Sequence, residues 1–194
     1  MKALKLSLCF FIIFLLSACS DSQLKNLTSF IDNYNDLADD NLSVTDFFYY
    51  DACENTPRAF IGDNECKVIL SLKEDENSKI ESVKLTLPKG NSTLPKEKLR
   101  DIFCRVLTHT LKSYCSYDSE IASEILNSFE LQNPETLYKQ GELTLKRDNF
   151  YFVYYSNEVA SEVIVYNTYI HTVEPTEKPV SRPYYGEDFI EKKE

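Results

Sequence analysis

The chain has 194 residues, with 31 aspartates and glutamates against 21 lysines and arginines, which gives a formal net charge of −10 at pH 7. This balance argues against nucleic acid as a partner, because phosphates attract a basic face, and against electrostatic adhesion to anionic lipid. The four glycines are too few for a glycine-rich phosphate loop. The length fits one domain with a substantial core.

The N-terminus has the three-part layout of a secretory signal. Lys2 and Lys5 precede an apolar run over residues 6–16, and two small residues follow it. The run is far shorter than the roughly 20 residues that a membrane-spanning helix needs. We therefore predict an export signal at residues 1–18 rather than a transmembrane anchor.

The end of this signal carries a recognisable processing motif. The sequence Leu16-Ser17-Ala18-Cys19 resembles the lipobox of bacterial lipoproteins, in which the cysteine sulfur receives a diacylglycerol before the signal is removed. The resemblance implies lipidation of Cys19. In Gram-negative lipoproteins an Asp after the cysteine favours the inner membrane, and Ser20 stands here instead. The resemblance therefore implies an outer-membrane anchor, with the periplasmic face favoured over the cell surface. An unmodified secreted protein is the alternative.

The mature chain is predicted to fold as one unit. We expect a lipidated N-terminus and short tether at residues 19–22, a single domain at residues 23–170, and a proline-containing flexible tail at residues 171–194. The signal contains two lysines and no acid, so its removal makes the net charge two units more negative. That charge is compatible with a basic protein partner, or with acidity that merely keeps the protein soluble.

Four cysteines remain for the domain once Cys9 leaves with the signal and Cys19 carries lipid. In an oxidising compartment these four favour two disulfides, and they contain no CxxC pair, so neither a metal nor a cofactor is expected. Two of them lie eleven residues apart on one predicted helix, roughly 16 Å, which is too far for a bond. We expect each of the other two to pair with one helix cysteine, in an undetermined order. The alternative pairs Cys53 with Cys66 and Cys104 with Cys115. The four are Cys53, Cys66, Cys104 and Cys115.

The first half of the domain is predicted to contain a helix and three strands. Helical periodicity runs from Leu24 to Leu37, and the segment Ser43 to Ala52 has the aromatic and β-branched content of a strand. A polar loop follows at residues 54–65. Alternating apolar residues then predict a β-hairpin with strands at Lys67 to Lys73 and Ile80 to Leu87.

The second half is predicted to contain two helices and a three-stranded meander. An apolar stripe from Leu99 to Tyr114 indicates an amphipathic helix, and a second stripe runs from Tyr117 to Phe129. A short helical turn lies between Asn133-Pro134 and Gly141. Strands are expected at residues 142–147, 150–156 and 159–170. The predicted fold is α+β, an antiparallel sheet of about six strands in two groups, with a central helical pair, an N-terminal helix and two disulfides.

The sequence contains no pattern typical of a catalytic site. His109 and His171 have no serine, cysteine or aspartate at a spacing that suggests a triad. Glu120 and Glu124 are four residues apart on one helix, a spacing found in some carboxylate sites and in many solvated surfaces. We therefore predict a protein without enzymatic activity, while distant residues that assemble a hydrolase site remain an alternative.

Aromatic residues are the most suggestive feature of the domain. They stand at consecutive positions in two predicted strands, residues 47–50 and 150–155, and neighbours in a strand face opposite sides. Some must therefore lie outside the core, where tyrosines suit protein binding, or where they pair across strands and stabilise the sheet. The candidate binding residues are Tyr49, Tyr151, Tyr155, Tyr166 and Tyr169.

Together these features predict a lipid-anchored envelope protein that binds another protein. An immunity protein, an inhibitor of a hydrolase and an accessory subunit of an envelope machine all fit this description. A structural lipoprotein without a dedicated partner is the alternative.

Overall fold

A computed structural model describes residues 25–38, 42–49, 56–62, 66–90 and 92–168. The predictions for the signal, the lipobox and the tail therefore lie outside the described residues. So do those for Cys53, Tyr169 and His171.

Helices and strands alternate in blocks along the chain. Helix α1 (Leu27–Asn35) is followed by a short 3-10 helix (Val44–Asp46) and by strands β1 (Arg58–Gly62), β2 (Lys67–Glu74) and β3 (Ile80–Pro88). Helices α2 (Lys96–Cys115) and α3 (Ser119–Ser128) and a second 3-10 helix (Pro134–Tyr138) come next. Strands β4 (Gly141–Arg147), β5 (Phe150–Ser156) and β6 (Ala160–Asn167) complete the described chain.

The six strands form one antiparallel sheet in the order β1-β2-β3-β6-β5-β4. Each group of three strands is a meander joined by short turns, and the two groups meet where β3 pairs with β6. The predicted α+β class, the two strand groups, the central helical pair and the N-terminal helix are confirmed.

Local chemistry explains where the helices begin and end. The Asn26 side chain accepts a hydrogen bond from the Ser29 backbone N–H at 2.9 Å, and the Ser29 hydroxyl caps the Asn26 N–H in return. Pro95 directly precedes α2, and Asp118 accepts from the Ile121 N–H to cap α3. Helix α2 ends at Cys115, because the next residue, Ser116, has a left-handed φ of 60°.

One face of the sheet and the apolar stripes of the helices make the main core. The stripe of α2 is buried as predicted, and α1 and α3 both pack against this helix. Side chains from every strand join the helices in this core, including Leu70, Leu85, Phe152 and Val163, each at most 1% exposed. The helices therefore cover one face of the sheet, and we call the opposite face the open face.

The strand predicted at Ser43 to Ala52 is wrong for the residues that the structure describes. Val44–Asp46 forms a 3-10 helix because the Asp46 carboxylate accepts hydrogen bonds from Ser43 and tightens the turn. Only Phe48 makes a β-bridge, to Arg58. The first strand is instead β1, which lies inside the segment predicted to be a polar loop.

The prediction of two disulfides is also wrong for the cysteines that the structure describes. No disulfide joins Cys66, Cys104 and Cys115 to one another. Cys104 and Cys115 lie on one helix as predicted, where the Cys104 thiol donates a hydrogen bond to the Leu131 carbonyl oxygen. Cys115 is buried at the end of α2. The helix therefore holds these two thiols in separate surroundings.

Candidate functional site: the open face of the sheet

The open face consists of the strand residues that point away from the helices. Antiparallel partners directly opposite each other share a face, so the strand register places three rows on this side. The central row contains Arg58, Ser71, Lys84, Ile164, Val153 and Thr144. The rows on either side contain Phe60, Ile69, Thr86, Glu162, Tyr155 and Glu142, and Lys73, Ser82, Tyr166, Tyr151 and Lys146.

A small apolar cluster lies at the β5–β6 end of the open face. Val153, Ile164 and Tyr166 are 7–8% exposed, and the half-buried Tyr151 packs against them. Tyr151 and Tyr166 are direct cross-strand partners. The cluster is separate from the main core and includes no residue of a described helix. The face thus has its own apolar centre.

Polar and charged side chains surround this apolar centre. Lys84 lies 4.0 Å from the Glu162 carboxylate, and Thr86 donates a hydrogen bond to the same carboxylate. Lys73 forms an ion pair with Glu81 at 3.3 Å. The three rows carry four cations, and Lys67 of β2 adds a fifth on the same side. Three carboxylates lie on or beside the face, Glu142, Glu162 and the Lys73 partner Glu81, whereas the whole chain has a net charge of −10. The five cations are Arg58, Lys67, Lys73, Lys84 and Lys146.

The structure brings three of the five predicted binding residues onto one face. Tyr151 and Tyr166 form a pair, and Tyr155 lies on the same face in the row of Glu162. Tyr49 is 53% exposed but lies beside β1, which is separated from β5 by three strands. Strands are about 4.8 Å apart, so this distance is roughly 19 Å. Tyr169 lies outside the described residues.

Aromatic residues also occupy the β1 end of the open face. The rings of Phe48 and Phe60 stack with centroids 5.4 Å apart, and the Lys67 ammonium lies 6.0 Å from the Phe60 ring. The consecutive aromatic residues of β5 lie on both faces of the sheet. Phe150, Phe152 and Tyr154 contribute to the main core, and Tyr151 and Tyr155 lie on the open face.

A buried lysine is the polar centre that the sequence analysis did not identify. Lys89 is 7% exposed, and its ammonium donates hydrogen bonds to the carbonyl oxygens of Leu137 and Asn157 and, at 3.1 Å, to the Ser156 hydroxyl. Burial lowers the pKa of Lys89 to about 8. Ser156 is fully buried, so no substrate reaches this lysine–serine contact and the cluster is structural. In the sequence, Lys89 is marked only by its position directly after strand β3, and that position does not indicate burial.

The other candidate groups take part in structural contacts. Glu124 forms an ion pair with Arg147 of β4, beside a shallow groove between α3 and β4, while Glu120 is exposed. His109 is half-buried and meets the Tyr34 ring edge-on, with ring centroids 5.8 Å apart. Among the described residues, no cluster of histidines, cysteines and carboxylates has the arrangement of a metal site. No described helix is both long and apolar enough to cross a membrane.

Burial disfavours the thiolate form of the two cysteines of α2. Burial raises the pKa of the Cys104 thiol to about 11 and that of the Cys115 thiol well above its ordinary value. The Lys25 ammonium opposes this effect at Cys115, and it bonds the Ser113 carbonyl oxygen and the Ser116 hydroxyl nearby. Because the thiolate is the reactive form, both side chains act as core groups.

Fold and site together define a class of protein: an α+β domain with one sheet face covered by helices and a second, tyrosine-bearing and cationic face. Comparison of the chain with protein-family models, curated proteins and solved structures finds no significant match.

Proposed function

We propose that the protein is a lipid-anchored envelope protein that binds a protein partner through the open face and catalyses no reaction. The lipobox-like sequence ending in Cys19 supports the anchor, which would attach the domain to the outer membrane at its periplasmic side. The observation that carries the binding role is the grouping of Tyr151, Tyr155 and Tyr166 on one face, around an apolar cluster separate from the main core.

The composition of the open face fits a protein partner. Tyrosine offers a large apolar area and a hydroxyl group at a low cost in side-chain entropy, and protein interfaces combine an apolar centre with a polar rim. The half-buried Tyr151 and Tyr155 supply the accessible aromatic surface beside the buried Val153 and Ile164, and Lys84 and Glu162 belong to the rim.

The charges of the face favour an acidic segment in that partner. Five cations and three carboxylates lie on or beside the open face, so complementary charge would come from aspartates and glutamates. The net charge of the whole chain also predicts a basic partner, which would bind the acidic surface outside the open face.

Site-specific photocrosslinking in intact cells tests this proposal. A benzophenone amino acid at position 155 should give one adduct of discrete mass, whereas the same probe at Glu120, exposed on α3, should give none. Lys84→Glu should lower the yield at position 155 about five-fold, which corresponds to roughly 1 kcal/mol of binding free energy.

Arg105→Glu is the matched control for this experiment, because it makes the same charge change at an exposed residue of α2 and should leave the yield unchanged. Equal adducts from both probe positions, or equal losses from both charge variants, would argue against the open face as the binding site.

A further inference from the structure

Strand β4 is an edge strand, and most of its residues are exposed. It is the last strand in the sheet order, and residues Gly141, Glu142, Leu143, Thr144 and Lys146 are all exposed. Its register with β5 is continuous over seven residues, without a bulge or a proline. At the other end of the sheet, Phe48 bridges to β1, whereas no described segment pairs with the outer side of β4.

The turn between β4 and β5 determines which backbone groups of β4 point outward. Asp148 and Asn149 form a two-residue turn, with Arg147 paired to Phe150. In such a hairpin the two flanking residues form a hydrogen-bonded pair, and hydrogen-bonded pairs then alternate along the ladder. Arg147, Leu145 and Leu143 therefore bond inward to β5. The N–H and C=O groups of the residues between them, Glu142, Thr144 and Lys146, point away from the sheet.

The sequence of β4 is complementary to itself when it is read in the opposite direction. Around Thr144, an antiparallel copy places Glu142 opposite Lys146, Leu143 opposite Leu145 and Thr144 opposite itself. A two-fold axis repeats each contact, so the pair contains two Glu142–Lys146 contacts of opposite charge and two contacts between leucines.

We propose that the partner of this edge is a second copy of the chain, joined through antiparallel pairing of two β4 strands centred on Thr144. This register uses the backbone groups that point outward. The N–H and C=O groups of Glu142 bond those of Lys146 in the other copy, and the two Thr144 residues bond each other. The leucines then form the closer, non-hydrogen-bonded pairs. The product is a continuous twelve-stranded sheet in a symmetric dimer.

Burial supports this register. Leu143 is 42% exposed in the single chain, and Leu145 is half-buried near α3. Both point to the helix side of the sheet, where each would be covered by a leucine of the other copy. The paired strands would thus have leucine contacts on the helix side of the sheet and charge contacts on the open face, all from five consecutive residues.

Charge exchange tests the inference without knowledge of any other partner. In sedimentation equilibrium of the full chain, in a detergent of matched density at about 150 mM salt to screen the net charge, the protein should have the mass of two chains. Glu142→Lys and Lys146→Glu should each have the mass of one chain at the same concentration, because like charges then face each other twice. The double variant E142K/K146E should again have the mass of two chains.

A backbone variant tests the same register independently. Thr144→Pro removes an N–H that points outward and leaves the bonds to β5 intact, so it should have the mass of one chain, while Thr144→Ala should have that of two. Circular dichroism monitors folding of each variant. A single-chain mass for the unmodified protein, or a two-chain mass for every variant, would overturn the inference. This dimer does not depend on the open face or on the lipid anchor.

Discussion

Lys89 illustrates how one side chain joins segments that are distant in sequence. Its ammonium reaches the end of the second 3-10 helix through Leu137 and the turn between β5 and β6 through Asn157. The Leu137 carbonyl oxygen also accepts hydrogen bonds from the hydroxyls of Ser156, at 2.7 Å, and Ser161, at 2.9 Å. The aliphatic stem is buried, and the ammonium lies 5.1 Å from the Tyr138 ring. The free-energy cost of burying the charged ammonium is therefore offset by several hydrogen-bond acceptors.

Lys89→Met should change how stability depends on pH. Because the pKa of Lys89 is about 8 in the folded protein and about 10.4 in an unfolded chain, the unfolded state binds more protons between pH 8 and pH 10. The free energy of unfolding contributed by Lys89 therefore rises across this window.

Denaturant unfolding of both proteins at several pH values measures this effect. The unmodified protein should gain up to about 2 kcal/mol relative to Lys89→Met between pH 8 and pH 10. Burial also raises the pKa of Tyr114, Tyr117 and Tyr154, but these groups are present in both proteins. A difference that stays constant with pH would show that the Lys89 pKa is close to its ordinary value.

At the scale of elements, Gly62 explains why β1 ends where it does. Its φ is 129°, and a Cβ atom at this position would overlap the backbone carbonyl oxygen of Cys66, the residue before β2. Only glycine adopts this conformation with little strain. The return of the chain from β1 into β2 therefore depends on this residue.

Gly62→Ala should lower the free energy of unfolding by about 1–3 kcal/mol, because a left-handed conformation and a steric overlap are imposed together. Gly90→Ala is the control, since a Cβ atom there meets no heavy atom within 4 Å. Chemical denaturation of both variants measures the difference. Equal stabilities would mean that the turn into β2 rearranges without strain.

Strong periodic patterns made most helices and strands predictable from the sequence. Short elements such as the first 3-10 helix and β1 contain too few residues to show such a pattern, and the predictions for these two are wrong. The stripe of α2 and the alternation in β2 and β3 specify one face each, and both faces are buried as predicted. Strand β1 (Arg58–Gly62) directly follows Pro57 and ends at Gly62, and these two turn-forming residues favoured a loop prediction in spite of the alternation of Ala59 and Ile61. The sequence also could not show which residues of β5 and β6 remain uncovered, because that depends on where the helices pack.

In the whole molecule, helices cover one face of the sheet and the open face lies on the other side. The proposed anchor would hold both faces close to a membrane. Residues 20–26 lie between Cys19 and the first described helix, and seven extended residues reach at most roughly 25 Å. A partner of the open face would therefore be met near the membrane surface. The proposed anchor would affect where the domain acts rather than how it folds.

Cys19→Ser should abolish both lipid labelling and membrane attachment. In cells fed radiolabelled palmitate, the unmodified chain should incorporate label and sediment with membranes, because acyl chains contribute roughly 0.8 kcal/mol per buried methylene. Cys9→Ser is the matched control and should behave like the unmodified chain. Label on Cys19→Ser, or none on the unmodified chain, would contradict the proposed anchor.

The pairing of β3 with β6 also governs how the chain reaches its native state. Every other neighbouring pair of strands is connected by a short turn and forms from local contacts, whereas this pair joins residues roughly 70 to 85 positions apart. The entropic cost of closing the sheet is concentrated in this one ladder, and helices α2 and α3 lie within the loop it closes. From this topology we expect each meander to form early from local contacts and the association of the two meanders to be the slow step.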